Sequence, residues 1–200
     1  MKVVVIGATG TVGRPVADAL ENLGHEVVRA SRKSEVSVDI EKLESIRALF
    51  DAVRDVDAVV SCAGGAAWGP LASLKDEDFA ASLRYKLMGQ VNVVRVARER
   101  LRDRGSITVT SGVLATKPMP GSTAVSLVNA GLEGFVRAAA LDLPRGIRVN
   151  VVSPPWVTET LRARKMEESI GTPAAVVAKA YIASVEGRGN GEVIEAARFK

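Results

Sequence analysis

Residues 3–13 read VVVIGATGTVG, an apolar run followed directly by a loop with three glycines. The β-branched residues of the run favour an extended strand. The residues that follow, Val12, Val16, Leu20 and Leu23, have helical spacing. At such a turn the first glycine permits an unusual backbone angle, and the third lets strand and helix pack closely. The stretch therefore predicts the opening strand and helix of an open α/β sheet.

The same loop is suited to binding a dinucleotide. Free amide groups and the dipole at the N-terminus of the helix favour negative charge, and the middle glycine lets the main chain approach a pyrophosphate. The loop residues expected to contact the cofactor are Gly7, Thr9, Gly10, Thr11, Val12 and Gly13. A glycine triplet also fits a tight turn without ligand. Its place at the first strand-to-helix turn, where an open sheet has its ligand crevice, favours the dinucleotide.

Strand-like and helix-like segments alternate along the rest of the chain. Runs rich in β-branched residues predict seven strands, at residues 3–6, 26–29, 36–38, 58–61, 107–110, 147–152 and 192–194. Helical spacing lies between them, with long helices predicted over 79–101 and 126–143. This alternation implies right-handed crossovers and a parallel sheet with helices on both faces. We predict a mobile loop over 158–171. We also predict that the last helix begins directly after it, with Thr172 at the N-cap and Pro173 at the N1 position.

Length and composition limit the classes of protein. Two hundred residues, 47% hydrophobic and 25% charged, fit one domain spanning 1–200. The net charge is +4, but both signs are interspersed, which disfavours a nucleic-acid partner. One cysteine and one histidine exclude an internal disulfide and a Cys/His zinc site. The first apolar run is too short for a signal peptide or a membrane span. We expect a metal-free cytoplasmic protein with no membrane partner.

The end of the second predicted strand indicates which nicotinamide dinucleotide is bound. NAD sites usually place a carboxylate there for the ribose 2′-hydroxyl, whereas a 2′-phosphate requires cations. Residues 29–34 read RASRKS, so Arg32 and Lys33, with the hydroxyl of Ser31, are available for that phosphate. A solvated basic turn is the alternative, but after a glycine loop the pattern favours NADP over NAD. Asp39, followed by Ile40 after the third strand, is expected to accept a hydrogen bond from the adenine amino group.

Further motifs lie in the middle and second half of the chain. Residues 129–135 read NAGLEGF, residues 147–154 read IRVNVVSP and residues 61–64 read SCAG. These are similar to the K-A-G-L-E-G-F helix, the I-R-V-N-x-V-x-P strand and the N-N-A-G segment of the short-chain dehydrogenase/reductase family. The G-x-x-G-x-x-G loop is nearer that of extended or atypical members. The resemblance implies a Rossmann-type, doubly wound parallel α/β sheet of about seven strands, and it adds these cofactor contacts: Cys62, Ala63, Gly64, Asn129 and Pro154.

The resemblance also implies a chemistry whose residues are changed here. The family transfers a hydride to or from the nicotinamide, with a tyrosine as general acid/base, a lysine four residues later, a preceding serine, and an asparagine on an earlier helix. Matched to this chain, the tyrosine position falls on Val125 and the lysine position on Asn129, and neither residue transfers a proton. The serine position falls on Gly112, or on Ser111 if the following loop slips by one residue. The asparagine position falls on Lys86.

No other alignment restores the tyrosine–lysine pair. The chain has two tyrosines, Tyr85 and Tyr181, and the residues four positions after them are Gly89 and Val185. In this respect the chain resembles a small bacterial subgroup of short family members that lack active-site residues.

Lys86 and Ser111 are the candidate catalytic residues. The match at Lys86 places an ammonium in the crevice that the tyrosine and lysine vacate, where a desolvated lysine can act as an acid or base. A surface lysine or a cation bound to the cofactor is the alternative. Ser111 lies at the carboxyl end of a strand, where ligand contacts concentrate, although such a hydroxyl can also be only a cap. Trp68 and Trp156 follow turns at the crevice edge, where they line the substrate space or pack.

Two functions follow from these residues. One is an NADP-dependent oxidoreductase that acts on an alcohol/carbonyl pair of an unknown small-molecule substrate. The other is a catalytically inactive dinucleotide-binding sensor or partner subunit. The two long helices resemble those of the family's four-helix dimer interface. The apolar side formed by Val128, Leu132, Phe135 and Ala139 predicts a homodimer or homotetramer, because it would otherwise be exposed.

Overall fold

Seven parallel strands form one sheet in the computed structural model, which describes residues 1–199. The strands are β1 (Lys2–Ile6), β2 (Glu26–Ser31), β3 (Val36–Ser37), β4 (Ala58–Ser61), β5 (Ser106–Thr110), β6 (Arg148–Ser153) and β7 (Val193–Glu195). Their order is β3-β2-β1-β4-β5-β6-β7. The order reverses direction between β1 and β4, which is where an open α/β sheet has its ligand crevice. The predicted doubly wound parallel sheet is confirmed.

Helices connect the strands and cover both faces of the sheet. They are α1 (Gly13–Asn22), α2 (Leu43–Ala52), α3 (Asp76–Ser82), α4 (Gly89–Arg100), α5 (Thr123–Asp142), α6 (Thr158–Ala163) and α7 (Ala174–Glu186), and a π-helical turn, Leu83–Met88, joins α3 to α4. Val4 and Ile6 belong to the core cluster on one face of the sheet, which includes residues of α2, α4 and α5, whereas Val3 and Val5 belong to the cluster on the other face, which includes residues of α1 and α7. Both faces of β1 are buried, which explains why its sequence is an unbroken apolar run.

The apolar side predicted to be exposed on α5 in fact faces the protein's own core. Val128 and Leu132 are fully buried, and Phe135 and Ala139 are partly buried. The prediction was wrong because α5 is apolar on two sides, and the sequence does not indicate which side meets the sheet. Leu127 and Leu141 occupy the outer side, 48% and 86% exposed. By length and hydropathy α5 would also suffice to cross a membrane, but its inner side packs on the sheet as an ordinary core helix does.

The segment predicted to be a mobile loop over 158–171 contains α6. The expected cap at Thr172 is also wrong, because α7 begins at Ala174 with Pro173 at the N-cap position. Thr172 instead forms an isolated parallel bridge with Val157, which buries its side chain. The carboxylate of Glu159 accepts the hydrogen bond from the main-chain N–H of Ala174, at 3.0 and 3.1 Å from its two oxygens.

Candidate functional site

The glycine loop lies at the carboxyl end of β1 and has the geometry expected of its first and third glycines. Gly7 has a φ of +85°, and a Cβ there would lie 2.9 Å from the main-chain nitrogen of Ala63. A Cβ on Gly13 would lie 2.1 Å from the carbonyl oxygen of Gly7, so no side chain fits where α1 begins. Within residues 1–199, the N–H groups of Thr11, Val12 and Gly13 donate to no acceptor. These three amides are available for an anion at the N-terminus of α1.

A cleft of about 330 Å³ runs from this loop to the end of β2, and we call it the basic-turn cleft. The predicted cofactor residues that line it are Gly7, Thr9, Gly10, Ser31, Arg32, Lys33, Asp39, Ile40, Cys62, Ala63 and Gly64. Arg32 and Lys33 are exposed and form no ion pair within the described chain. The Ser31 hydroxyl accepts from the Lys33 N–H at 3.1 Å, which fixes the turn. The cleft thus brings two free cations to the place where a 2′-phosphate would require them.

Tyr85 also lines the basic-turn cleft, and the sequence did not indicate it as a site residue. The guanidinium of Arg32 lies 5.6 Å from the centroid of the Tyr85 ring, within the range of a cation–π contact. The ring is partly buried and packs against the core cluster that contains Val4 and Ile6. Its signal in the sequence was its position directly before Lys86, on the helix that borders the crevice.

A second cleft, of about 280 Å³, adjoins the first through Cys62 and Gly64. It contains both tryptophans, and we call it the tryptophan cleft. The predicted residues that line it are Val12, Trp68, Lys86, Ser111, Gly112, Val125, Asn129, Pro154 and Trp156. The structure therefore brings the four altered family positions to one place. Thr11 and Gly13 line neither cleft.

Lys86 is partly buried on the π-helical turn and lies in the wall of the tryptophan cleft. Its Nζ donates a hydrogen bond to the main-chain carbonyl oxygen of Ser111 at 3.0 Å. Desolvation lowers the pKa of Lys86 from its ordinary value of 10.5 to about 8. Burial has this effect because a low-dielectric surrounding disfavours the charged form of a base. At neutral pH the side chain remains mostly an ammonium that loses its proton easily.

The hydroxyl of Ser111 is directed to a buried acid rather than to Lys86. Its Oγ donates to Oε1 of Glu133 at 3.0 Å, and both residues are almost fully buried. The contact joins the end of β5 to the middle of α5. Ser111 thus lines the cleft while its hydroxyl is already paired. Glu133 belongs to the NAGLEGF segment, but its sequence position alone gave no sign of this pairing.

The side chain of Asn129 packs closely against Gly112. The Asn129 side chain is 1% exposed, and its Nδ2 donates to the carbonyl oxygen of Gly112 at 3.4 Å. A Cβ at Gly112 would lie 2.9 Å from that nitrogen, so a serine would crowd the amide. The changes at the family's serine and lysine positions are therefore spatially coupled. The Oδ1 atom of Asn129 is buried without a hydrogen-bond partner among the described residues.

Cys62 is a packed, neutral thiol. Burial raises the pKa of Cys62 to about 12, against the smaller effect of hydrogen bonds from Tyr181 and Thr110. The Thr110 hydroxyl donates to the carbonyl oxygen of Ser61 at 2.6 Å and lies 2.8 Å from the hydroxyl of Tyr181. A thiol with so high a pKa is not a nucleophile near neutral pH. The described residues contain no cluster of three or more acidic, histidine or cysteine side chains able to hold a metal.

Comparison with known proteins agrees with this geometry. The sequence family described as "Enoyl-(Acyl carrier protein) reductase" matches residues 5–197. Carbonyl reductase family member 4 of Danio rerio is 29% identical over 188 residues, which cover 83% of this chain and 79% of that protein. The 3-oxoacyl-[acyl-carrier-protein] reductase of Mus musculus is 26% identical over 185 residues, which cover 82% of this chain and 78% of that protein.

Solved structures are similar over nearly the whole chain. The protein lin1944 from Listeria innocua is 38% identical, with a TM-score of 0.92 and 98% of each chain covered. A small-chain dehydrogenase in complex with NADPH is 25% identical, with a TM-score of 0.86 and coverage of 98% of this chain and 95% of that one. Family match, sequence relatives and fold confirm the resemblance carried by residues 61–64, 129–135 and 147–154. The chain belongs to the short-chain dehydrogenase/reductase family of oxidoreductases.

Proposed function

We propose that the protein binds NADP(H) in the two adjoining clefts and is an oxidoreductase in which Lys86 supplies the proton to a carbonyl substrate. The observation that carries this proposal is the position of Lys86. Its Nζ lies in the tryptophan cleft, 3.0 Å from the carbonyl oxygen of Ser111, where Val125 and Asn129 replace the family's proton-transferring pair.

The residues that would hold the cofactor are distributed along both clefts. The free amides of residues 11–13 fit a pyrophosphate, and Arg32 and Lys33 fit a 2′-phosphate. Asp39 and Ile40 border the space for the adenine. Asn129 lines the tryptophan cleft, and its side-chain amide suits a ribose hydroxyl, which is both a donor and an acceptor. The small-chain dehydrogenase solved in complex with NADPH supports this cofactor.

NADPH supplies the hydride when it is bound, and the chain must supply the proton. The hydrogen bond to Ser111 orients the Lys86 ammonium, and its pKa of about 8 keeps it protonated at neutral pH while easing proton release. A positioned acid of this kind contributes about 10² to 10⁴ in rate. Ser111 acts as the acceptor that places Lys86, because its own hydroxyl is bonded to Glu133.

A second function is a dinucleotide-binding sensor or partner subunit without turnover. It is favoured by the two apolar or neutral residues, Val125 and Asn129, at the positions where the family transfers its proton. We also propose that the protein is cytoplasmic, a compartment in which NADP(H) is available. The two functions are distinguished by measuring NADPH turnover and NADPH affinity for the parent protein and for Lys86→Met. An oxidoreductase loses turnover in the variant, whereas a sensor or partner subunit binds NADPH without turnover in both.

We also propose that the protein forms a homodimer or homotetramer through the outer side of α5. Leu127 and Leu141 lie on that side, four helical turns apart, and both are exposed. Ala130 and Gly134 lie between them and are also exposed, so a second helix can approach closely. This side replaces the buried one that the sequence had suggested.

A further inference from the structure

The charged side chains that line the tryptophan cleft are all cations. Among the residues of 1–199 that line it, Lys86 and Arg164 are charged, and no aspartate or glutamate is present. The buried carboxylate of Glu133 contacts the wall through the hydroxyl of Ser111 but does not line the cleft. A concave site of one charge sign attracts ligands of the opposite sign.

Arg164 stands at the cleft with its hydrogen-bonding groups unused. Its guanidinium lies 6.0 Å from the centroid of the Trp68 ring, and its side chain forms no ion pair within the described chain. By contrast, Arg162, in the last turn of α6, is paired with Glu168 at 2.7 Å. A guanidinium stacked on an aromatic face keeps its N–H edges free, and those edges match a carboxylate in two parallel hydrogen bonds.

One part of the cleft wall is aromatic and apolar. The rings of Trp68 and Trp156 lie 5.8 Å apart at an interplanar angle of 67°. Trp68 is held in place by Gly121, where a Cβ would come within 3.0 Å of its Nε1. Val113 and Leu114 extend the apolar surface. At about 280 Å³ the cleft has room for one small ring beside the space that a cofactor would take.

We propose that the substrate of this site is a small, flat carbonyl compound that carries a carboxylate. The carboxylate binds at Arg164, the apolar body lies against the tryptophan pair, and the carbonyl oxygen is directed inward to Lys86. The position that we assign to the carbonyl group rests on the proposed oxidoreductase function. The place of the carboxylate rests on Arg164 and the tryptophans alone.

Binding is measured without turnover, because Trp68 and Trp156 are the chain's two tryptophans and both line the cleft. Intrinsic fluorescence is followed on the full chain, with and without saturating NADP⁺, during titration with benzoate, benzyl alcohol, benzylammonium and phenyl phosphate. We expect benzoate to bind about tenfold or more tightly than benzyl alcohol, and benzylammonium to bind least. Arg164→Gln should remove the preference for benzoate. Arg162→Gln, a matched control two residues away, should retain it.

Three results would overturn the proposal: equal affinity for benzoate and benzyl alcohol, undiminished benzoate binding by Arg164→Gln, or tighter binding of phenyl phosphate than of benzoate. The last result would assign the site to a phosphate instead. Trp68→Phe keeps an aromatic wall and should keep benzoate binding, now reported by Trp156 alone. Failure of NADPH turnover leaves this binding test intact, so the two proposals fail separately.

Discussion

The Nζ atom of Lys86 lies 3.0 Å from the main-chain carbonyl oxygen of Ser111, and this bond joins the helical segment after β4 to the end of β5. The contact fixes an ammonium at the place where the sheet order reverses. On the far side of the same residue, the Ser111 hydroxyl is bonded to Glu133 of α5. Three elements thus meet at Ser111. They determine the position of Lys86, which is the only lysine lining the tryptophan cleft within the described chain.

Cofactor preference should depend on the basic turn. We expect NADP⁺ to bind about ten- to a hundredfold more tightly than NAD⁺, because Arg32 and Lys33 offer charge-assisted hydrogen bonds to a 2′-phosphate. Replacing both by alanine should abolish the difference, as measured by isothermal titration calorimetry. Arg54→Ala with Lys179→Ala removes the same charge from outside both clefts and should leave it intact. Equal or tighter binding of NAD⁺ by the parent protein would contradict the assignment.

Turnover should be weak and should depend on Lys86. We expect little NADPH oxidation with ordinary aldehydes and ketones, because Val125 and Asn129 transfer no proton. The remaining rate should be lost in Lys86→Met, while the affinity for NADPH stays nearly unchanged. Absorbance at the NADPH band and calorimetry measure the two quantities. Turnover that persists in Lys86→Met would show that another group carries the proton.

The family's own pair provides a gain-of-function control for this prediction. Val125→Tyr with Asn129→Lys should raise turnover above that of the parent. Adding Lys86→Asn should raise it further, because two ammonium groups in one cleft repel each other.

Gly112→Ser alone should lower stability, since its Cβ would lie 2.9 Å from Nδ2 of Asn129.

The pH profile of carbonyl reduction should follow the Lys86 ammonium. Desolvation lowers the pKa of Lys86 to about 8, so the acid form predominates below that pH and is lost above it. We expect a constant rate below about pH 8 and a fall of about tenfold per pH unit above it. Alcohol oxidation, which needs the neutral amine as base, should show the opposite trend. A reduction rate that stays constant to pH 10 would exclude Lys86 as the donor.

Self-association should depend on the exposed leucines of α5. Sedimentation velocity of the parent protein is expected to give a dimer or tetramer, and Leu127→Glu with Leu141→Glu a monomer. The reason is that burying these side chains between helices is favourable, whereas burying two unpaired carboxylates is not. Leu71→Glu changes an exposed leucine outside α5, intermediate in exposure between Leu127 and Leu141, and is the control. A monomeric parent at high micromolar concentration would count against the interface.

The Glu159 carboxylate should contribute to stability through α7. Removing a helix cap costs about 1 kcal/mol, and in a chain of this size that lowers Tm by about 2–4 °C. Glu159→Ala should show this loss in thermal unfolding followed by circular dichroism. Glu35→Ala removes an exposed carboxylate without a hydrogen bond in the described chain and should leave Tm unchanged. An unchanged Tm in Glu159→Ala would show that solvent replaces the cap.

The sheet could be predicted from the sequence because strand and helix patterns are local, and the apolar run at 3–6 is long enough to show burial on both faces. The places of Arg32, Lys86 and Asn129 in the clefts followed from motif positions. The pairing of Ser111 with Glu133 and the cap from Glu159 to Ala174 could not be predicted, because each joins segments far apart in sequence through side-chain directions. The inner side of α5 was misassigned because Leu127 and Leu141 are as apolar as the residues that are buried.

The π-helical turn at Leu83–Met88 has a consequence for how this protein can change by insertion and deletion. A π turn holds about one residue more than an α turn. Losing one residue there would convert it to regular α-helix, while α3 and α4 keep their mutual orientation, because the π turn is what accommodates the extra residue. Lys86 and Tyr85 both lie within the turn, so a single lost codon would change which of its side chains meet the two clefts. The turn is thus a point where the chain could acquire a different chemistry in one genetic step while α4 keeps its packing.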